Sequence, residues 1–145
     1  MAASSGTTSC SRAIQVRVYY EDTDAAGIVY YANYLRFLER GRTEFLRDLG
    51  HDQGELMREG VAFAVRSVSA EFLRPARLDD QLTVETSIAH LGRAQLSFHQ
   101  RIARAGETLL DAKIRIACID PAGGRPIPMP RGIHHQLKAL TEATT

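Results

Sequence analysis

The chain has 145 residues, 44% hydrophobic and 24% charged, with no tryptophan and a formal net charge of +1. That length suits one domain with its own core, and the near-neutral balance argues against nucleic acid as a partner, since such binding needs a concentrated basic face. Two cysteines, Cys10 and Cys118, are too few for a disulfide framework, and no apolar run approaches the length of a membrane span.

Residues 1–11 are rich in Ala, Ser, Thr and Gly and lack the apolar centre of a signal peptide. They read as a disordered tail on a cytoplasmic protein, with a single domain over residues 12–143. Ile14, Val16, Val18 and Tyr20 then alternate with polar neighbours, the period of a half-buried strand. Glu21 to Val29, rich in acids, Ala and Gly, reads as a loop. From about Ala32 to Leu49 the period changes: Tyr34, Leu38, Gly41, Phe45 and Leu49 recur every three or four residues, with Leu35, Phe37 and Leu46 widening the stripe. This predicts a long helix stopped by Gly50. A glycine inside a helix costs roughly 1 kcal/mol against alanine, so Gly41, on the apolar stripe, marks a close approach to a sheet.

Four more strands follow. Val61, Phe63 and Val65 hold odd positions, but Val68, Ala70 and Phe72 hold even ones, which predicts a bulge near Arg66–Ser67. Leu82, Val84 and Ile88 mark the third strand. A tight turn over His90–Arg93 leads to the fourth, marked by Ala94, Leu96, Phe98 and Ile102. A turn at Ala105–Gly106 leads to the fifth, marked by Leu110, Ala112, Ile114, Ile116 and Cys118. Pro126 to Pro130 is an extended linker, and Ile133, Leu137 and Leu140 fall on one side of a short closing helix. One amphipathic helix over a five-stranded antiparallel sheet is an α+β design. Its open edges favour edge-to-edge pairing into a dimer.

The chemistry concentrates in Glu21-Asp22-Thr23-Asp24-Ala25-Ala26-Gly27-Ile28-Val29-Tyr30-Tyr31. Carboxylates end a strand, a glycine permits a sharp turn, and a long helix begins with unpaired N–H groups and a positive dipole end. Two readings stay open from the residues alone. The acids cap the helix, or a carboxylate faces a carbonyl group whose oxygen the helix start would polarise. A calcium loop is rejected, because Ala26 replaces an oxygen ligand and Asn33 the bidentate glutamate that should close the loop. The five histidines show no metal-ligand spacing, so no metal is expected.

The stretch EDTDAAGIVYYANYLRFLERGRTEFLRDLG, continued by AEFLRPARLDDQLTVET, closely resembles the 4-hydroxybenzoyl-CoA thioesterase family of hotdog proteins, and most of all its Tol-Pal-associated acyl-CoA thioesterases. The resemblance implies a hotdog fold, a sheet wrapped around the long helix, and hydrolysis of an acyl-CoA or acyl carrier protein thioester without a cofactor. It also implies a homodimer, or a dimer of dimers. Residue by residue, it places the catalytic carboxylate at Asp24 and the oxyanion donor at the backbone N–H of Tyr31. Gly27 falls where the loop passes close to substrate, and Asp22 is assigned to turn structure. Tyr30 would wall the acyl pocket. Arg93 matches a basic stretch that contacts the CoA nucleotide, or else is a solvated arginine. The Tol-Pal-associated relatives usually carry histidine where this chain has Tyr31, while benzoyl-CoA members carry tyrosine. Two other functions share the fold: a hotdog dehydratase, which generally uses a histidine absent from this motif, and a non-catalytic module for acyl carriers or envelope partners.

Overall fold

A computed structural model describes residues 11–143. In chain order they form β1 (Ser11–Arg17), a single 3-10 turn (Tyr20–Asp22), α1 (Tyr31–Asp48), α2 (Gln53–Arg58), β2 (Ala62–Phe72), β3 (Gln81–Leu91), β4 (Gln95–Arg104), β5 (Glu107–Ile119) and α3 (Arg131–Ala143). The expected tail and Cys10 lie outside the described residues, except that Ser11 already belongs to β1.

The strands form one antiparallel sheet in the order β1-β3-β4-β5-β2, so β1 and β2 are its edges. Even-numbered side chains of β3, β4 and β5 point inward, among them Leu82, Val84, Phe98, Ile102, Ile114 and Ile116, all buried. On the opposite face a partly solvated ladder runs, in which Arg101 pairs with Glu85 at 3.0 Å and His99 meets Asp111 at 3.1 Å. Across the inner face lies α1, burying Tyr34, Phe37, Leu38, Gly41, Phe45 and Leu46. It ends as the glycine predicts: Gly50 has φ +94, its N–H reaches the Arg47 carbonyl, and the His51 N–H reaches that of Leu46. The closing helix α3 buries Ile133 and Leu137 against the same core.

The bulge is present. Val65 faces Ile116 and Ser67 faces Arg115, leaving Arg66 as the extra residue. The hairpin at Ala105–Gly106 has positive φ at both residues (50 and 85), the two-residue turn that matches strand twist.

Four expectations need correction. The first strand ends at Arg17, not Tyr20, because the Asp22 carboxylate accepts the Tyr19 N–H and closes a 3-10 turn that leaves Tyr20 exposed. The turn after the third strand is Gly92 to Ala94, since β3 keeps pairing through Leu91. Leu35 is exposed, sharing a flank of α1 with Tyr31, four residues earlier, away from the sheet. Finally α2 was not foreseen; its start is capped by the Asp52 side chain, which accepts the Glu55 N–H at 3.1 Å.

Candidate active site

The segment from Thr23 to Val29 folds back on itself. Thr23 bridges Val29, the Asp24 N–H donates to the Ile28 carbonyl at 2.9 Å, and the Gly27 N–H returns to the Asp24 carbonyl at 3.0 Å. Gly27 has φ +78 and open space where a Cβ would sit, so backbone conformation, not crowding, requires glycine there. The loop is pinned to residues 76–78 by the Val29 N–H on Ala76 O and the Leu78 N–H on Gly27 O.

Asp22 and Asp24 have separate tasks. Asp22 is buried, and its backbone carbonyl accepts both the Tyr30 N–H at 3.1 Å and the Asn33 side-chain amide at 2.9 Å. It therefore fastens the loop to the start of α1, and Asn33 is a member of this joint that the sequence motif alone did not single out. Asp24 is exposed; its Oδ1 accepts the Ala26 N–H at 2.9 Å, which orients the carboxylate. Its Oδ2 has no hydrogen-bond partner among the described residues.

Tyr30 stands at the cap position of α1 with extended backbone and gives no side-chain cap. Among the described residues, the first helical N–H groups, those of Tyr31 and Ala32, have no acceptor. A carboxylate with a free oxygen thus sits on a turn stitched to a helix start with free donors, the parts needed to attack and polarise a carbonyl.

Around this joint the surface is aromatic. The rings of Tyr30 and Tyr31 lie 5.1 Å apart, and Phe72 at the end of β2 approaches Tyr31 at 6.4 Å and Tyr34 at 5.5 Å. Tyr34 is in the core, as expected, and its hydroxyl accepts the Ala76 N–H at 2.9 Å. Burial pushes its pKa up. Tyr34→Phe strips a buried N–H of its acceptor in the segment that holds the Asp24 turn. Thermal unfolding should show a loss of about 1–3 kcal/mol, and an unchanged Tm would mean that Ala76 finds another acceptor.

Farther along α1, a cavity of about 70 Å³ opens between Arg42, Leu46, Phe63, Val65, Phe98 and Leu137. Cys118 is buried, with its thiol pKa raised by burial, and fills space in the core.

Asp24, Gly27, Tyr30 and Tyr31 come together; Arg93 does not join them. It lies at the other end of β3, whose length is roughly 33 Å at 3.3 Å per residue, and its carbonyl accepts the Met129 N–H. There Arg93 lines a separate cleft of about 610 Å³ with Arg131, His134, His135 and Lys138. None of the three permanent cations has an ion-pair partner among the described residues. Only the packing of α3 against the Arg93 turn creates this basic concentration.

Comparison with protein families matches residues 18–137 to the Thioesterase-like superfamily. The chain belongs to this family. It is 48% identical over 124 residues to the acyl-CoA thioester hydrolase YbgC of Escherichia coli, covering 85% of this chain and 92% of that protein. Among solved structures it is similar to a probable thioesterase from Bartonella henselae, with TM-score 0.78, 41% identity, and coverage of 83% of this chain and 99% of that one. A mutant 4-hydroxybenzoyl CoA thioesterase complexed with 4-hydroxybenzoyl CoA gives TM-score 0.80 at 25% identity, covering 88% and 98%. The fold is the hotdog fold. Within the family frame, the segment that matches from residue 18 onward includes the whole Asp22–Tyr31 joint.

Proposed function

We propose that this chain is an acyl-CoA thioesterase in which Asp24 supplies the carboxylate and the Tyr31 backbone N–H the oxyanion donor. The observation that carries the proposal is the joint itself: an oriented, exposed carboxylate fastened through Asp22 to the open N–H groups of an eighteen-residue helix. The acyl-CoA hydrolase among its relatives supports the same chemistry.

Either Asp24 attacks the thioester carbonyl, expelling the CoA thiolate to give a mixed anhydride that water then opens, or it takes a proton from the water that attacks. Both routes consume one water and yield a free acid and a thiol, and in both the Tyr31 N–H faces the developing oxyanion. Gly27 leaves open space beside the turn, and Tyr30 exposes its ring at the helix start, suited to wall an acyl pocket. Water and the chain's own groups suffice for this chemistry, so it calls for no cofactor. Cytoplasmic placement rests on the composition of residues 1–11, and a link to the Tol-Pal envelope system rests on the family resemblance. No helix among the described residues is long and apolar enough to cross a membrane.

Arg93 enters this proposal through a second copy of the chain. Val65, Val68 and Phe72 expose their side chains on the open edge strand β2, a poor ending for a sheet in water. Two-fold antiparallel pairing of β2 with its copy sets the Ala62 end of one strand beside the Phe72 end of the other. The Arg93 turn shares the Ala62 end and the Tyr31 joint shares the Phe72 end. Pairing therefore turns the partner's basic cleft toward this protomer's catalytic turn, suited to the phosphates of CoA. Arg93→Ala should raise KM for CoA esters roughly tenfold, the equivalent of about 1.4 kcal/mol, with kcat near wild type. An unchanged KM would return Arg93 to the solvent-exposed surface.

The direct test is thiol release from a panel of acyl-CoAs, short, long and aromatic, beside the same acyl groups on acyl carrier protein. Hydrolysis of any of them supports the proposal and its profile names the acyl class and carrier. No hydrolysis of any would overturn it in favour of a binding role.

A further inference from the structure

Gln100 is a polar residue where the pattern of β4 calls for an apolar one. Leu96, Phe98 and Ile102 share its inward phase, and it is fully buried among them. A buried amide is costly unless its groups are bonded, and here they are. Its Nε2 donates to the Leu38 carbonyl and to Thr86 Oγ1, both at 2.9 Å, and its Oε1 accepts from the Arg42 guanidinium at 3.0 Å. Two of those three partners lie on α1, one turn apart, and the third lies on β3.

Gly41 sits inside this grip. A Cβ there would fall 2.8 Å from Thr86 Oγ1, 2.9 Å from Gln100 Nε2 and 2.9 Å from Val84 Cγ1. The helix backbone therefore rests directly on the sheet at this point, and the Leu38 carbonyl takes a second donor besides its own helical one. A carbonyl and a guanidinium on successive turns, held by one amide, fix both the axial position of α1 and its rotation.

We propose that Gln100, with Thr86 and Gly41, is a positioning device that sets where α1 carries the Tyr31 N–H relative to the sheet and to Phe72 at the end of β2. The proposal rests on the thioesterase function above. Asp22 ties the catalytic turn to the helix start, so turn and helix move together; Gln100 ties that unit to the sheet. Leu38 lies seven residues from Tyr31, about 10 Å along a rigid helix at 1.5 Å per residue, and a shift made at one end appears at the other. Misplacement by about 1 Å can cost a hundredfold in rate.

Two variants shift α1 by different means. Gln100→Met keeps the volume and removes the grip, while Gly41→Ala keeps Gln100 and Thr86 but drives a methyl group between them and the helix, wedging it outward. Both should lower kcat tenfold or more with KM within threefold of wild type, assayed well below their Tm where circular dichroism shows full folding. Gln100→Glu, which keeps the acceptor for Arg42 but cannot donate to Leu38, should fail to rescue kcat. Full kcat in the folded variants would overturn the proposal, since a residue that only stabilises would leave the folded enzyme's rate intact. Amide NMR gives an arm independent of activity: the Tyr31, Ala32 and Asn33 resonances should move in Gln100→Met. If they stay in place the device does not exist, whether or not the protein hydrolyses thioesters.

Discussion

Asp24→Asn is expected to reduce kcat for acyl-CoA hydrolysis by roughly 10³-fold, within the 10²–10⁴ range of a lost carboxylate base, with KM and Tm near those of wild type. Asparagine keeps the volume and retains an oxygen for the Ala26 N–H, so the Asx-type turn over Asp24 survives. Only the free carboxylate oxygen is lost. Since Asp24 is exposed and makes no ion pair among the described residues, the fold has little to lose. Asp22→Asn provides the contrast: Asp22 is buried and its Oδ2 accepts the Tyr19 N–H, so that variant should lower Tm more than it lowers the rate of the folded enzyme. Activity that survives in Asp24→Asn would mean the carboxylate lies elsewhere. Single-turnover hydrolysis in ¹⁸O water separates the two chemical routes, because only the anhydride route leaves label in Asp24 itself.

The second large effect concerns assembly. Val65→Lys with Val68→Lys places two cations on β2, where both valines are exposed and outside the buried core cluster, Val65 bordering only the small cavity beside α1. The change should convert a dimer into a folded monomer at micromolar concentration, read by sedimentation velocity. Because the partner's Arg93 cleft completes the site in this proposal, kcat/KM should fall at least tenfold in the same variant. Mixing supplies a check that monomerisation cannot mimic. Asp24→Asn and Arg93→Ala mixed at low substrate should exceed the activity of either alone, since a mixed pair holds one site with both residues intact. A wild-type monomer of full activity would remove this reading of β2.

What the sequence disclosed and what it withheld divide along physical lines. Period carries information over several turns, so α1 and the five strands were legible, and so was the bulge, because one extra residue must flip the phase from Val65 to Val68. Six residues of α2 make less than two turns and leave no period to detect, though Asp52 and Glu55 gave a capping signal. Tyr20 continued an apolar alternation beyond the point where pairing stops; only the side chain of Asp22, three residues from Tyr19, ends it. At the site, Asp24, Gly27, Tyr30 and Tyr31 are neighbours in the chain and one local turn gathers them, but the residues alone left capping and catalysis open, and their separate roles come from the family resemblance. Gln100 broke the pattern of β4 in plain view, yet its meaning depends on Leu38 and Arg42, about sixty residues away. The company Arg93 keeps with Arg131 and Lys138 is likewise a product of tertiary packing.

The two margins of the sheet differ in kind. Along β1, polar Gln15 and Arg17 alternate with the inward Ile14 and Val16, Gln15 is bonded to Thr83 and Arg17 to the Asp79 carbonyl, and Arg12, on the inward phase over the Phe45 ring, approaches Asp48 at 3.7 Å. Along β2, Val65, Val68 and Phe72 are bare. Strand-to-strand joining of copies therefore has a favoured margin and a disfavoured one. A chain that joins only like to like exhausts its adhesive side in a single event, and the product has polar margins at both ends. Closed growth of this kind lets the cell hold a sheet protein at high concentration without the open-ended ribbon that two sticky margins would spin.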